Sequence, residues 1–184
     1  GYGTIITQPC LFLGMDQLAI AQYITRMGLL VAGPEAIEQG KQAWLNDAAW
    51  QGLRKYVEDS FVVQDWFELF VAQNLVLDGL LFPLIYGVYE HHMSEKLGTG
   101  LSLMVRFQND WYAETVKFVD AQIKIAAAES AENAETLKAW VQHYADSAAQ
   151  ALLPLAQLAL GDAGAQAVAD GRAQLSARLQ KLGV

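Results

Sequence analysis

From about Gln64 to Leu97 the chain is apolar nearly all the way round, and that stretch constrains everything else. A helix with no polar face belongs inside a bundle. Its central part, Leu69 to Tyr89, also invites a membrane test, since about 20 apolar residues can span a bilayer. It contains Gln73, Asn74, Asp78 and Pro83, and no Lys or Arg flanks it closely. An Asp at mid-span is costly in lipid, so a buried core helix is the better reading. Pro83 is predicted to kink it, because proline removes one backbone donor and crowds the preceding turn. Gln73, Asn74 and Asp78 fall within about one and a half turns. Buried amides and carboxylates need partners, supplied here either by the bundle or by another subunit.

The rest of the chain is punctuated as a helical protein. Gly and Pro sit mostly between long periodic segments, and no run shows sustained strand alternation. A first helix is predicted from about Thr4 to Val31, ended by Ala32-Gly33-Pro34. A second runs from Pro34, a favourable first-turn residue, to about Asn46. Asp47 can cap a third that begins at Ala48 and reaches about Ser60. Beyond the apolar helix, Gly98-Thr99-Gly100 forms a break. Two long helices follow, about Leu101 to Ser130 and Asn133 to Leu160, the latter with Pro154 inside. An Ala-rich amphipathic segment from about Ala163 to Leu182 carries Arg172, Arg178 and Lys181 in its later half. The fold expected is all-α, one helical domain over residues 1–184, with 133–184 as peripheral C-terminal helices.

Composition excludes several functions. Of the 184 residues, 53% are hydrophobic and only 17% charged, which exceeds what a monomer needs to cover itself and points to a partner. A net charge of −8, with no basic stripe, argues against nucleic acid, because phosphate contacts need clustered Lys and Arg. One cysteine, Cys10, permits no internal disulfide and fits a reducing, cytoplasmic setting. Beside Pro9 in an apolar stretch it reads as a small buried hydrophobe. The chain opens at Gly1-Tyr2-Gly3-Thr4 without an initiator Met or a signal peptide, so it is expected to be an excised piece of a longer chain.

The histidines decide the metal chemistry. There are three, His91, His92 and His143, preceded three residues earlier by Val88, Tyr89 and Trp140. No Glu-x-x-His exists, which excludes a bundle di-metal site of that type built from this chain alone. His91 and His92 can each pair with Glu95, but no companion ligands make a zinc site. The serines lack a Gly-x-Ser-x-Gly elbow, and no glycine pattern matches the dinucleotide fingerprint. Glu58-Asp59 after Arg54-Lys55 reads as an ion-paired helix face.

Several stretches carry a resemblance: Asp59-Ser-Phe-Val-Val-Gln-Asp-Trp-Phe-Glu-Leu-Phe-Val-Ala-Gln-Asn74, its continuation Leu-Val-Leu-Asp-Gly-Leu-Leu-Phe-Pro-Leu-Ile-Tyr86, Met15-Asp-Gln-Leu-Ala-Ile-Ala-Gln-Tyr23, Trp50-Gln-Gly-Leu-Arg-Lys-Tyr-Val-Glu58, Ala126-Ala-Ala-Glu-Ser130 and the opening Gly1-Tyr-Gly-Thr4. Together they resemble the C-terminal portion of the β subunit of the bacterial phenol hydroxylases, multicomponent di-iron monooxygenases. The resemblance implies a ferritin-like (ribonucleotide-reductase-like) helical bundle without a metal site. It further implies a hydroxylase built as a dimer of αβγ units, in which a di-iron centre in α inserts one oxygen atom of O2 into phenol to give catechol. Electrons come from an NADH-dependent reductase, and a small effector protein acts on the complex. Where the α pattern is Asp-Glu-x-x-His, this chain has Asp16-Gln17-Leu18-Ala19-Ile20 and Asp110-Trp111-Tyr112-Ala113-Glu114. Gln17, Ile20, Trp111 and Glu114 are thus the lost ligand positions, and Glu68 or Leu69 stands near a third. No catalytic residue, cofactor, nucleic acid or membrane is expected for this chain. A toluene-type β subunit and a stand-alone ferritin-like oxidase are the alternatives.

Overall fold

The computed structural model describes residues 3–184, apart from the side chain of Leu97; Gly1 and Tyr2 of the opening motif lie outside the described residues. Every regular element among them is helical. The residues cluster into two compact units, Gly1–Asp47 and Ala48–Val184.

The first unit is α1, Thr4–Asn46. It is helical on both sides of Gly33, whose φ of 77° and ψ of −179° break the helix where Ala32-Gly33-Pro34 predicts an end. Glycine reaches that left-handed φ without a Cβ penalty. Most of its large apolar side chains are exposed, among them Ile5, Leu11, Phe12, Leu18, Leu30 and Val31, while Ile20 is buried at 4% exposure.

The second unit contains α2, Ala48–Ser60, and the central helix α3 over residues 66–97. Next come α4, Gly100–Glu129, and α5, Ala131–Leu160. A 3-10 turn at Gly161–Ala163 leads into α6, Gly164–Leu182. Local chemistry sets the ends. Asp65 caps α3 by accepting from the amides of Phe67 at 2.7 Å and Glu68 at 3.3 Å, filling orphan donors of the first turn. Ser130 does the same for α5 through Asn133 N–H at 3.0 Å. Gly98, at φ 85°, ends α3.

The central helix is not a uniform α-helix. It passes from Trp66–Phe70 into a π-helical stretch Val71–Leu77, back to α at Asp78–Phe82, into a second π stretch Pro83–Tyr89, and ends as Glu90–Leu97. At Pro83 the backbone stays in the helical region (φ −60°, ψ −37°). Pro83 opens the second π stretch, whose wider turn accommodates the missing donor.

The core of this unit is apolar and tightly packed. Val71, Leu75, Val76, Val119, Ile123, Leu137, Ala148 and Leu152 are essentially inaccessible. α5 is its hub, with α2, α3 and α6 all packed on it. Small residues permit this: a Cβ on Gly52 would stand 3.1 Å from the Ala151 backbone, and one on Gly164 would stand 2.5 Å from the Ala156 backbone. Two helices are long and apolar enough to cross a membrane by composition, α1 and the central helix. The apolar window of the central helix is 61% buried, as a core helix requires, whereas that of α1 is 6% buried.

Candidate functional site

The interior between α3 and α4 is where a ferritin-like bundle would gather its ligands, and here it is filled by rings. Phe82, 5% exposed, stacks on Tyr112 at 5.1 Å with planes 14° apart. Its centroid lies 5.3 Å from Trp111 and 5.2 Å from Tyr86. Further along, Phe70 stacks on Phe67 and meets Phe118 edge-on. Offset and edge-on rings pack such spaces densely and need no charge compensation.

The expected ligand positions are distributed unevenly. In the first unit Ile20 is buried and Gln17 is partly exposed. In the second unit Trp111 borders the ring cluster. Glu114 does not share that interior: it is exposed and pairs with Lys117 at 2.7 Å. The reason is helical register, because the buried face of α4 runs through Val105, Gln108, Thr115, Val119 and Ile123. Inheritance of a ligand position by Glu114 therefore finds no support in its geometry. Glu68 is half-buried and accepts from the Tyr144 hydroxyl at 2.8 Å. Burial first, then the nearby Glu68 carboxylate, pushes the Tyr144 hydroxyl up to about 12.

The histidines lie elsewhere. His91 is exposed and faces Glu95 at 3.5 Å, His92 contacts Lys96, and the exposed His143 packs on Tyr144. Among the described residues no three His, Cys, Asp or Glu side chains stand together as a metal site. The buried polar groups of α3 and α4 among the described residues are the Asp78 carboxyl, the Gln108 amide and the Thr115 hydroxyl, with no imidazole, and a single carboxyl does not suit a di-iron centre. Cys10 is half-buried, and burial pushes its thiol up, away from the reactive thiolate.

Of the polar residues expected inside the central helix, only Asp78 is fully buried, at 4% exposure; Asn74 is half-buried and Gln73 is exposed. The exposed Gln73 lies in the first π stretch, and Tyr56 of α2 donates to the carbonyl of its neighbour Ala72 at 2.7 Å. Burial pushes the Asp78 carboxyl up to about 7, against the opposing pull of Arg178. Arg178 itself pairs with Asp120, Nε to Oδ1 at 2.8 Å. Burial also raises the Tyr112 hydroxyl, with Arg178 again opposing. The sequence reading missed Arg178, though Leu175, Leu179 and Leu182 on the same buried stripe of α6 were the available signal. It also missed Gln108, wholly buried with neither amide atom hydrogen-bonded among the described residues.

A cavity of 590 Å³ opens beside this cluster, with Leu80, Leu84 and Val88 of α3, Leu152 of α5 and Val168 and Gly171 of α6 in its wall.

The comparisons agree with this architecture. The family model of the methane/phenol/alkene hydroxylases matches residues 1–130. The phenol 2-monooxygenase oxygenase component DmpL of Pseudomonas sp. (strain CF600) is 46% identical over 97% of this chain and 54% of its own length. The corresponding component MhpL of Acinetobacter pittii (strain PHEA-2) is 38% identical over 100% of this chain and 55% of its own. The toluene-4-monooxygenase hydroxylase subunit beta of Ectopseudomonas mendocina is 28% identical over 64% of this chain and 37% of its own. The crystal structure of xenon-pressurised phenol hydroxylase from Pseudomonas sp. OX1 contains a chain that superposes with a TM-score of 0.92 at 37% identity, over 98% of this chain and 55% of that one. This chain thus spans about half the length of the relatives it matches.

Proposed function

The chain belongs to the methane/phenol/alkene hydroxylase family, and on that premise we propose that it is the non-catalytic structural subunit of a phenol-type aromatic monooxygenase. In this reading a partner α subunit holds the di-iron centre and converts phenol or a related aromatic to its catechol with O2. An NADH-dependent reductase and an effector protein serve the assembled α, β and γ chains in the cytoplasm. This chain supplies fold and interface, not chemistry.

One observation carries the proposal: the α3–α4 interior is occupied by Phe82, Trp111 and Tyr112, which leaves no inward carboxylate–imidazole set. Four inward carboxylates are tolerable around two cations and very costly without them, so ring filling is the stable alternative once the metal chemistry is gone. Two further facts support the role. The apolar side chains of α1 are exposed along its length, as expected of a helix that a partner covers. The toluene-4-monooxygenase relative is a hydroxylase subunit beta. The phenol relatives match more of the chain at higher identity, which favours phenol over toluene as the substrate type.

Co-expression with the larger hydroxylase chains tests the proposal. The expected result is a stable stoichiometric complex that hydroxylates phenol when supplied with reductase and effector, while this chain without those partners gives no product. Turnover of phenol by this chain with reductase alone, or its persistence as a monomer in the presence of those partners, would overturn it.

A further inference from the structure

Arg178 sits in an unusual place for a cation. On α6 the buried stripe is Leu175, Leu179 and Leu182, and Arg178 lies on that same face with its side chain only 16% exposed. Its Nε and Nη2 reach Asp120 of α4 at 2.8 and 2.7 Å. Its Nη1 would stand 3.6 Å from a Cβ on Gly79 of α3, and the Tyr112 hydroxyl would stand 3.9 Å from that point. The tight neighbour of that point is Leu175 Cδ1 at 3.1 Å, so the guanidinium lies beside Gly79 at ordinary van der Waals range, and beyond the Asp120 ion pair its buried Nη1 and Nη2 have no hydrogen-bond partner among the described residues. Directly before Gly79 is Asp78, whose buried Oδ2 has no hydrogen-bond partner among the described residues.

We propose that Arg178 is an internal latch, a fixed cation that holds the last helix onto α3 and α4 by binding Asp120 directly and compensating Asp78 through space. A guanidinium does not deprotonate in proteins, so the latch is charged at every working pH. Burial favours the protonated form of Asp78, and the Arg178 charge opposes that shift. The ionisable groups around Asp78 are Tyr56 of α2, Tyr112 and Asp120 of α4, and Arg178 of α6; from α5, Tyr144 reaches this set through its edge contact with Tyr56. None of them is a second cation. A half-exposed pair, Arg172 with Asp146 of α5, anchors the earlier part of α6, so the latch acts on its C-terminal half. The inference holds independently of whether the chain is catalytic.

The pH dependence has a definite sign. The Asp78 carboxyl is raised on folding to about 7. A group raised in this way stabilises the fold most below its unfolded value near 4, and that contribution is lost as the pH rises through about 7. Removing Arg178 takes away the one influence that lowers Asp78, so the loss at high pH deepens.

Thermal melts of the full chain at pH 6 and pH 8 test this for wild type, Arg178→Met, Arg178→Lys, Asp78→Asn and the Asp78→Asn/Arg178→Met double variant. Arg178→Met is expected to lower Tm by about 5 °C at pH 6 and by more at pH 8. Asp78→Asn should flatten the difference between the two pH values and, in the Arg178→Met background, recover part of the loss at pH 8. Arg178→Lys, which keeps the charge, should fall between wild type and Arg178→Met. Equal Tm for wild type and Arg178→Met would overturn the latch. So would a pH-independent loss without recovery by Asp78→Asn, which is what lost packing of the arginine stem alone would give. If Arg178→Met does not fold, an Asp78→Asn melt with the same pH slope as wild type is the overturning result.

Discussion

Phe82→Ala is expected to destabilise the second unit by about 3–5 kcal/mol, a fall in Tm on the order of 10 °C. Phe82 is 5% exposed and the ring on which three others converge: Tyr112 stacked at 5.1 Å, Tyr86 at 5.2 Å and Trp111 at 5.3 Å. Truncation removes the transfer free energy of a phenyl group and leaves a cavity. The neighbours cannot close it, since they sit on two different helices and are themselves large. Each lost ring pair adds about 0.5–1.5 kcal/mol beyond the area buried. Phe82→Leu, which keeps most of the volume and loses the stacking, should cost roughly 1–2 kcal/mol. Denaturant titration followed by circular dichroism measures both. A Phe82→Ala cost below about 1 kcal/mol would mean that the rings are peripheral to the stability of the bundle, and that the interior does not depend on them in place of ligands.

Gly164→Val is expected to have an effect at least as large, on the order of 4 kcal/mol, because the obstruction is backbone. A Cβ at this position would stand 2.5 Å from the Ala156 carbonyl carbon and oxygen and from the Gln157 nitrogen. No rotamer change relieves a clash with main chain, so α6 must move away from α5. Gly164 has ordinary helical dihedrals, φ −60° and ψ −43°; the need for glycine here is steric and owes nothing to backbone freedom. Gly171, about two turns further along the same face of α6, makes the contrast. A Cβ there meets only the Leu80 side chain, at 3.8 Å. Gly171→Ala should therefore stabilise by about 0.5–1 kcal/mol through helix propensity. Two glycines on one helix with effects of opposite sign are a sharp check on the α5–α6 packing. If both variants melt like wild type, the close approach at Gly164 is wrong.

Much of the fold was legible because the signals were local. The all-round apolarity of residues 64–97 required a buried helix, and Gly33 and Gly98 ended helices where glycine was needed for positive φ. The two π stretches were not legible. In a run that is apolar on every side, one extra residue per turn leaves no mark on the pattern, so Val71–Leu77 and Pro83–Tyr89 read as ordinary α-helix. The exposure of Glu114 was not legible either: aligning Asp110-Trp111-Tyr112-Ala113-Glu114 with a motif sets spacing along the chain but not which side of α4 faces inward. Its buried residues, Gln108 and Thr115 among them, decide that only when the neighbouring helices are in place. Arg178 was hidden by charge, since a cation in an amphipathic helix reads as solvated until Asp120 is seen to receive it. The family resemblance came from long ordered stretches, so it survived all of these local errors.

Iron analysis of the separated chains of a purified, active complex decides whether this polypeptide holds metal. The iron is expected to travel with the larger partner chain, and this chain to carry none in stoichiometric amount. Stoichiometric iron bound by this polypeptide, retained after separation and after dialysis against a chelator, would contradict that expectation.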